Sequence, residues 1–144
     1  MMKLSRTVSY AVQATIQLAK NGSAEPVPCS KLASAGNMPE RFLLQILRNL
    51  VTHGILRSTR GVDGGYALVR DPEDVSLLEL IEAIEGPLDG NEASMEGLPE
   101  ESQNKLQDAL RDVTSTARKQ LEAIKLSQLV GAPPPMSDES KNGK

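Results

Sequence analysis

Apolar positions recur with a helical period through the first third of this chain. Over residues 4–19, Leu4, Val8, Ala11, Val12, Thr15, Leu18 and Ala19 fall on one face of an amphipathic helix. Asn21-Gly22 is a stop signal for it. The Pro26-Val27-Pro28 link leads to a short second helix over about Ser30 to Ala35, broken by Gly36-Asn37. Pro39 sits in the first turn of a third helix running to about His53, with Gly54 just past its end. A wheel of this third helix gathers Phe42, Leu43, Ile46, Leu47, Leu50 and Val51 into a wide apolar arc. Arg41, Gln45, Arg48, Asn49 and Thr52 lie opposite.

The period then changes to two. Residues 55–60 and 66–70 predict two short strands joined by Gly61-Val62-Asp63-Gly64-Gly65, and so small a ribbon needs helices to pack on. Ser76 and Glu79 have the spacing of a capping box. They open a helix with Leu77, Leu80, Ile81 and Ile84 on its buried stripe, ended by Gly86-Pro87. Residues 87–100 read as an acidic loop rich in Gly and Pro. A long helix over about Glu101 to Lys125 follows, with Leu106, Leu110, Val113, Ala117, Leu121 and Ile124 on one stripe. A helix outside a small domain has no core to cover such a stripe. It either pairs with its counterpart in a second chain, giving a two-fold dimer, or folds back on its own domain; pairing is the simpler solution. The Pro-rich tail from Gly131 is predicted to be disordered.

The resulting fold class is mainly α with a small β-hairpin. It has a winged helix-turn-helix domain (1–86), the acidic loop (87–100), a dimerisation helix (101–130) and the tail (131–144). The outer face of the third helix carries the right chemistry for base edges. Arg forks onto guanine, Gln and Asn pair with adenine, and a bare helix fits the major groove. A solvated helix face also carries such residues, so the face alone does not decide.

The glycine loop RGVDGGY has neither GxxxxGK[ST] nor GxGxxG, and it joins strand to strand, so it is no nucleotide cradle. Gly64 and Gly65 suit a hairpin turn because they tolerate positive φ. Arg60, at the tip of the ribbon, is placed to enter a narrow minor groove.

Charge supports a polyanionic partner. The formal net charge is −3. Residues 1–70 nevertheless hold nine Lys/Arg against three acids, whereas 71–144 hold seven against sixteen. With one cysteine, Cys29, and one histidine, His53, an internal disulfide, an HExxH zinc site and an assembled catalytic constellation are all excluded. The reading is therefore not an enzyme and not metal-dependent. No stretch approaches the roughly 18 apolar residues of a membrane span, and MMKLSRTVSY lacks a signal-type apolar region. The expectation is a cytoplasmic protein.

The stretches KLSRTVSYAVQATIQLA, MPERFLLQILRNLVTHGILRSTRG, GGYALVRDPEDVSLLELIEAIEG and IKLSQLV resemble the Rrf2 family of bacterial transcription regulators over about residues 3–130. The resemblance implies a homodimeric winged-helix DNA-binding protein, with Arg41, Gln45 and Arg48 facing the major groove and Arg60 reaching the minor groove. The candidate DNA-contacting set is Arg6, Arg41, Gln45, Arg48, Asn49, Arg57, Arg60, Gly64 and Gly65.

The partner expected is a palindromic double-stranded operator, and the role a repressor of stress, redox or sulfur/iron-related genes. Cluster-binding relatives carry three cysteines after the wing domain. Here Ala93 and Lys105 stand about where the first and last would be, with Asp108 near a further ligand position. No iron–sulfur cluster or other cofactor is therefore expected. Leu44, on the border of the reading face, meets a thymine methyl or extends the core.

Cys29 is either a buried small hydrophobe or a redox-sensing thiol with its pKa lowered at a helix N-terminus. His53 is read as a phosphate neighbour or a partner of the helix C-terminus. A second functional class stays open: an interaction module whose acidic loop and long helix dock a protein effector such as a metabolic enzyme.

Overall fold

The structure is a computed structural model that describes residues 3–22, 25–89 and 96–131. The first helix, α1 (Arg6–Asn21), starts where the Ser5 hydroxyl accepts the Val8 amide at 3.1 Å, and ends in left-handed Gly22. Its buried face is Val8, Ala11, Ala14, Thr15 and Leu18. Leu4 was expected on that face, but it precedes the cap and is exposed. The Thr15 hydroxyl is buried at no cost in unpaired groups, since it donates to the Ala11 carbonyl at 2.9 Å.

Helix α2 (Cys29–Gly36) and helix α3 (Glu40–Thr52) form the helix-turn-helix. The turn between them is made by left-handed Asn37, at φ 53°. An Asn side chain tolerates this conformation better than most. Pro39 is the cap residue of α3 and not part of its first turn. Leu43, Ile46, Leu47 and Leu50 of α3 are fully buried, each contributing about 2 kcal/mol from the surface removed from water. Gly54 follows the end of α3 with φ 75°, as the sequence predicts.

Strands β1 (Leu56–Thr59) and β2 (Gly65–Leu68) pair antiparallel, with Leu56 opposite Leu68 and Thr59 opposite Gly65. A third segment joins them. Val27, between its two prolines, exchanges both backbone hydrogen bonds with Tyr66 at 2.9 and 2.8 Å. The ribbon is thus tied to the segment that leads into α2. A 3-10 turn (Pro72–Asp74) precedes α4 (Leu77–Glu85), whose capping box between Ser76 and Glu79 is complete.

The long helix α5 (Glu100–Ala123) does not run on to residue 130. Ile124 is extended, at φ −86° and ψ 113°, and accepts the Leu77 amide at 2.8 Å. The Leu126 amide then donates to the Val75 carbonyl at 2.8 Å, and a short helix α6 (Leu126–Val130) follows. Leu126 is completely buried in the core shared by α1, α3 and α4. Two backbone hydrogen bonds and a buried Leu outweigh one more turn of exposed helix. Leu121 is likewise buried, against Val8, Leu78 and Ile81 of its own chain. The dimer stripe read over Leu106 to Ile124 is corrected accordingly. Leu121 belongs to this chain's core and Ile124 lies off the helix, while Leu106 and Val113 are exposed and Leu110 and Ala117 half-buried.

Candidate nucleic-acid interface

Helix α3 divides by physical necessity. Its apolar arc fills the core, so the opposite face is turned to solvent: Arg41, Gln45, Arg48 and Thr52 are exposed and Asn49 is half-buried. The helix is closed by His53, whose Nδ1 lies 2.9 Å from the Asn49 carbonyl and, in the Nδ1-protonated tautomer, donates to it. His53 therefore finishes the helix, in agreement with the second of its two readings.

Between α3 and the hairpin runs a groove of about 750 Å³. Arg48 and Thr52 line it from the helix, Ser58, Thr59 and Arg60 from the ribbon, and Cys29 from the start of α2. The guanidiniums of Arg48 and Arg60 and the hydroxyls of Ser58 and Thr59 suit a sugar-phosphate strand, which offers only acceptors to such donors, while the Thr52 hydroxyl donates to the Arg48 carbonyl at 3.0 Å. Of the residues expected at DNA, Arg48, Arg60, Gly64 and Gly65 are brought together here. Arg41 and Gln45 extend the same helix face, and Arg57 is exposed on β1. Arg6 opens α1, exposed, and does not line the groove. The hydroxyls of Ser58 and Thr59 are additions; the polar side of β1 was legible, but its facing α3 was not.

Seven of the eight arginines divide by their carboxylate partners. Arg70 pairs with Glu79, Arg111 with Asp108 and Arg118 with Glu82. Among the described residues, Arg6, Arg41, Arg48 and Arg60 pair with no carboxylate. Arg41, Arg48 and Arg60 thus bring guanidiniums without a carboxylate partner to α3 and the wing, where a polyanion can be met.

The positive-φ reading of the wing glycines holds at Gly65 and fails at Gly64. Gly61 and Gly65 hold positive φ, at 108° and 148°, whereas Gly64 does not. Gly64 is needed for room, because a Cβ there would lie 2.8 Å from the Arg60 carbonyl carbon and closer still to the Thr59 carbonyl oxygen. A Cβ at Gly65 would meet the Val27–Pro28 backbone, with the Pro28 nitrogen at 2.6 Å. The turn is built on backbone packing as much as on dihedral freedom.

Cys29 is half-buried, and its Sγ donates weakly to the Glu40 carbonyl at 3.6 Å. Burial, and then the charge of Glu40, push the thiol above its ordinary value. This is the reverse of the lowered pKa in the redox reading, because loss of hydration and the Glu40 carboxylate both disfavour the thiolate.

Helix-turn-helix, hairpin and unpaired arginine face together define a winged helix-turn-helix protein of the DNA-binding class. The comparisons place it further. The profile of Rrf2, described as iron-dependent transcriptional regulator, matches residues 4–132. An HTH-type transcriptional regulator of Mycobacterium tuberculosis, Rv1287, is 35% identical over 132 residues, 90% of this chain and 82% of that protein. The Escherichia coli HTH-type transcriptional regulator IscR is 30% identical over 130 residues, covering 90% of this chain and 80% of the relative. The solved structure of CymR, the global cysteine regulator of Bacillus subtilis, superposes with a TM-score of 0.72 at 27% identity, over 93% of this chain and all of that one. The chain belongs to the Rrf2 family of transcription regulators, which are not enzymes.

The donors present decide whether this chain can hold the iron that the family description names. Cluster iron is held by several thiolates. This chain has one cysteine, Cys29, and one histidine, His53, which cannot supply several thiolates. Lys105 pairs with Glu101 and Asp108 with Arg111, and Ala93 lies outside the described residues. The donor set does not fit a cluster of that kind. Among the described residues, no three His, Cys, Asp or Glu side chains converge as a metal site, and no helix is long and apolar enough to cross a membrane.

Proposed function

We propose that this protein is a cytoplasmic homodimeric regulator that binds a palindromic operator and represses the genes beside it, among them stress, redox or sulfur/iron functions, without a bound cluster. The observation that carries the reading is the set of Arg41, Arg48 and Arg60 on α3 and the wing, with Arg48 and Arg60 lining one groove. The α3 face enters the major groove, and Arg60 follows the backbone into the adjacent minor groove. Two-foldness comes from α5, whose exposed Leu106 and Val113, with Leu110 and Ala117, pair with the same helix of a second chain.

The test is a fluorescence titration of upstream duplex against random duplex at two salt concentrations. Preference for the upstream duplex, with affinity that falls as salt rises, is expected because bound phosphates release counterions. Equal affinity for both duplexes, or no salt dependence, overturns the reading. Arg60→Ala is expected to weaken binding several-fold with the dimer mass unchanged; unchanged affinity removes the wing from the interface.

A further inference from the structure

Phe42 is the only phenylalanine in the chain, and the apolar arc of α3 places it in the core. The structure leaves it 43% exposed. It is the third residue of α3, in the first turn, where a reading helix reaches base edges. At 100° per residue it stands beside Asn49 on the flank of the Arg41–Gln45–Arg48 row. Its ring is held edge-to-face on Tyr10 of α1, with centroids 5.8 Å apart and planes at 80°. An aromatic fixed in this way loses little freedom when it meets a partner.

We infer that Phe42 is a specificity-determining contact, packing on the C5-methyl of a thymine in each operator half-site. The inference rests on the proposed DNA-binding function and adds to it one base and one atom. Thymine alone shows an apolar group in the major groove; adenine, guanine and cytosine present donors and acceptors there. A ring at that position would strip water from those groups without replacing the hydrogen bonds, so it selects for the methyl. Leu44, the residue first weighed for this contact, is half-buried on the other flank of the helix.

The probe is the duplex that the full-length wild-type protein selects from a random pool, with each thymine in turn replaced by deoxyuridine. One thymine per half-site should lose about fourfold in affinity on removal of its methyl, the worth of one buried methyl-sized group. With Phe42→Ala the same replacement should change nothing, and selection should lose the thymine at that position. Phe42→Leu, which retains an apolar side chain, should keep part of the effect.

The deoxyuridine scan on wild-type protein does not depend on how the variants fold, and a scan with no sensitive thymine overturns the inference. So does a methyl effect that persists in Phe42→Ala, or one that vanishes in Leu44→Ala while Phe42→Ala retains it. Failure of the wild-type protein to select any sequence would sink the DNA-binding reading itself. A selected sequence without coupling to Phe42 sinks only this contact.

Discussion

At the scale of single residues, neighbouring glycines in one loop are needed for different reasons. Gly61 has open space around it but holds φ 108°, so Gly61→Ala should cost about 1–2 kcal/mol of backbone strain in urea unfolding. Gly64→Ala has ordinary φ but collides with the Thr59–Arg60 backbone, so it should open the turn itself. The check is the backbone amide NMR spectrum. Thr59 and Arg60 should shift strongly in Gly64→Ala and little in Gly61→Ala, and equal shifts would contradict the packing account. Cys29 gives a second test. Its thiol is pushed above its ordinary 9.0 by burial and Glu40, so the neutral form is favoured in the folded state. The stabilisation is complete below 9.0 and is lost as pH rises through the folded value. Alkylation by iodoacetamide should therefore reach half its maximal rate above pH 9, and a midpoint below 8 would restore the redox reading.

At the scale of elements, the junction between wing and α4 is held by one small network. Arg70, just past β2, donates to the Glu79 carboxylate and to the Asp74 carbonyl, while Glu79 also accepts the Ser76 amide at 3.2 Å. Burial alone raises the Glu79 carboxyl, but the Arg70 and Ser76 hydrogen bonds and the charges of Arg70 and Lys125 outweigh it and leave it lowered. A lowered carboxylate stabilises the fold above its ordinary value of 4.5, and that contribution is lost as pH falls through the folded value. Urea midpoints measured from pH 7 down to pH 3 should fall less steeply for Glu79→Gln than for wild type. Parallel curves would show that the pair contributes nothing. The capping box was legible because its two residues are three apart in sequence. Arg70 was not, because its partners come together only when the hairpin folds onto α4.

At the scale of the whole molecule, α5 has two parts with opposite duties. Its last turn is anchored through Leu121 to α1 and α4, and the chain beyond it returns to the core at Leu126. Its middle presents Val113, 64% exposed among the described residues. On the proposed dimer, Val113→Glu should leave urea stability of the monomer unchanged, shift sedimentation to the monomer and weaken the proposed operator binding. Leu121→Ala should instead destabilise the monomer by about 2–4 kcal/mol through a core cavity. If both variants changed only assembly, the division of the helix would be wrong.

Period, capping and turn chemistry are local, and they set the order of elements: three helices, a hairpin, a capped helix and a long polar-faced one. They also set the outer face of α3, since an apolar arc leaves only one side for Arg41, Gln45 and Arg48. The Rrf2 motifs carried the family for the same reason, being runs of adjacent residues. Contacts between segments distant in sequence were decided by packing alone. The single bridge of Val27 to Tyr66 ties the wing to α2, and the turn at Ile124 sends Leu126 into the core. The ring of Phe42 lies on Tyr10 and not beneath α3. A helical wheel cannot tell a buried apolar residue from one left at the rim, because burial depends on what the neighbouring element covers.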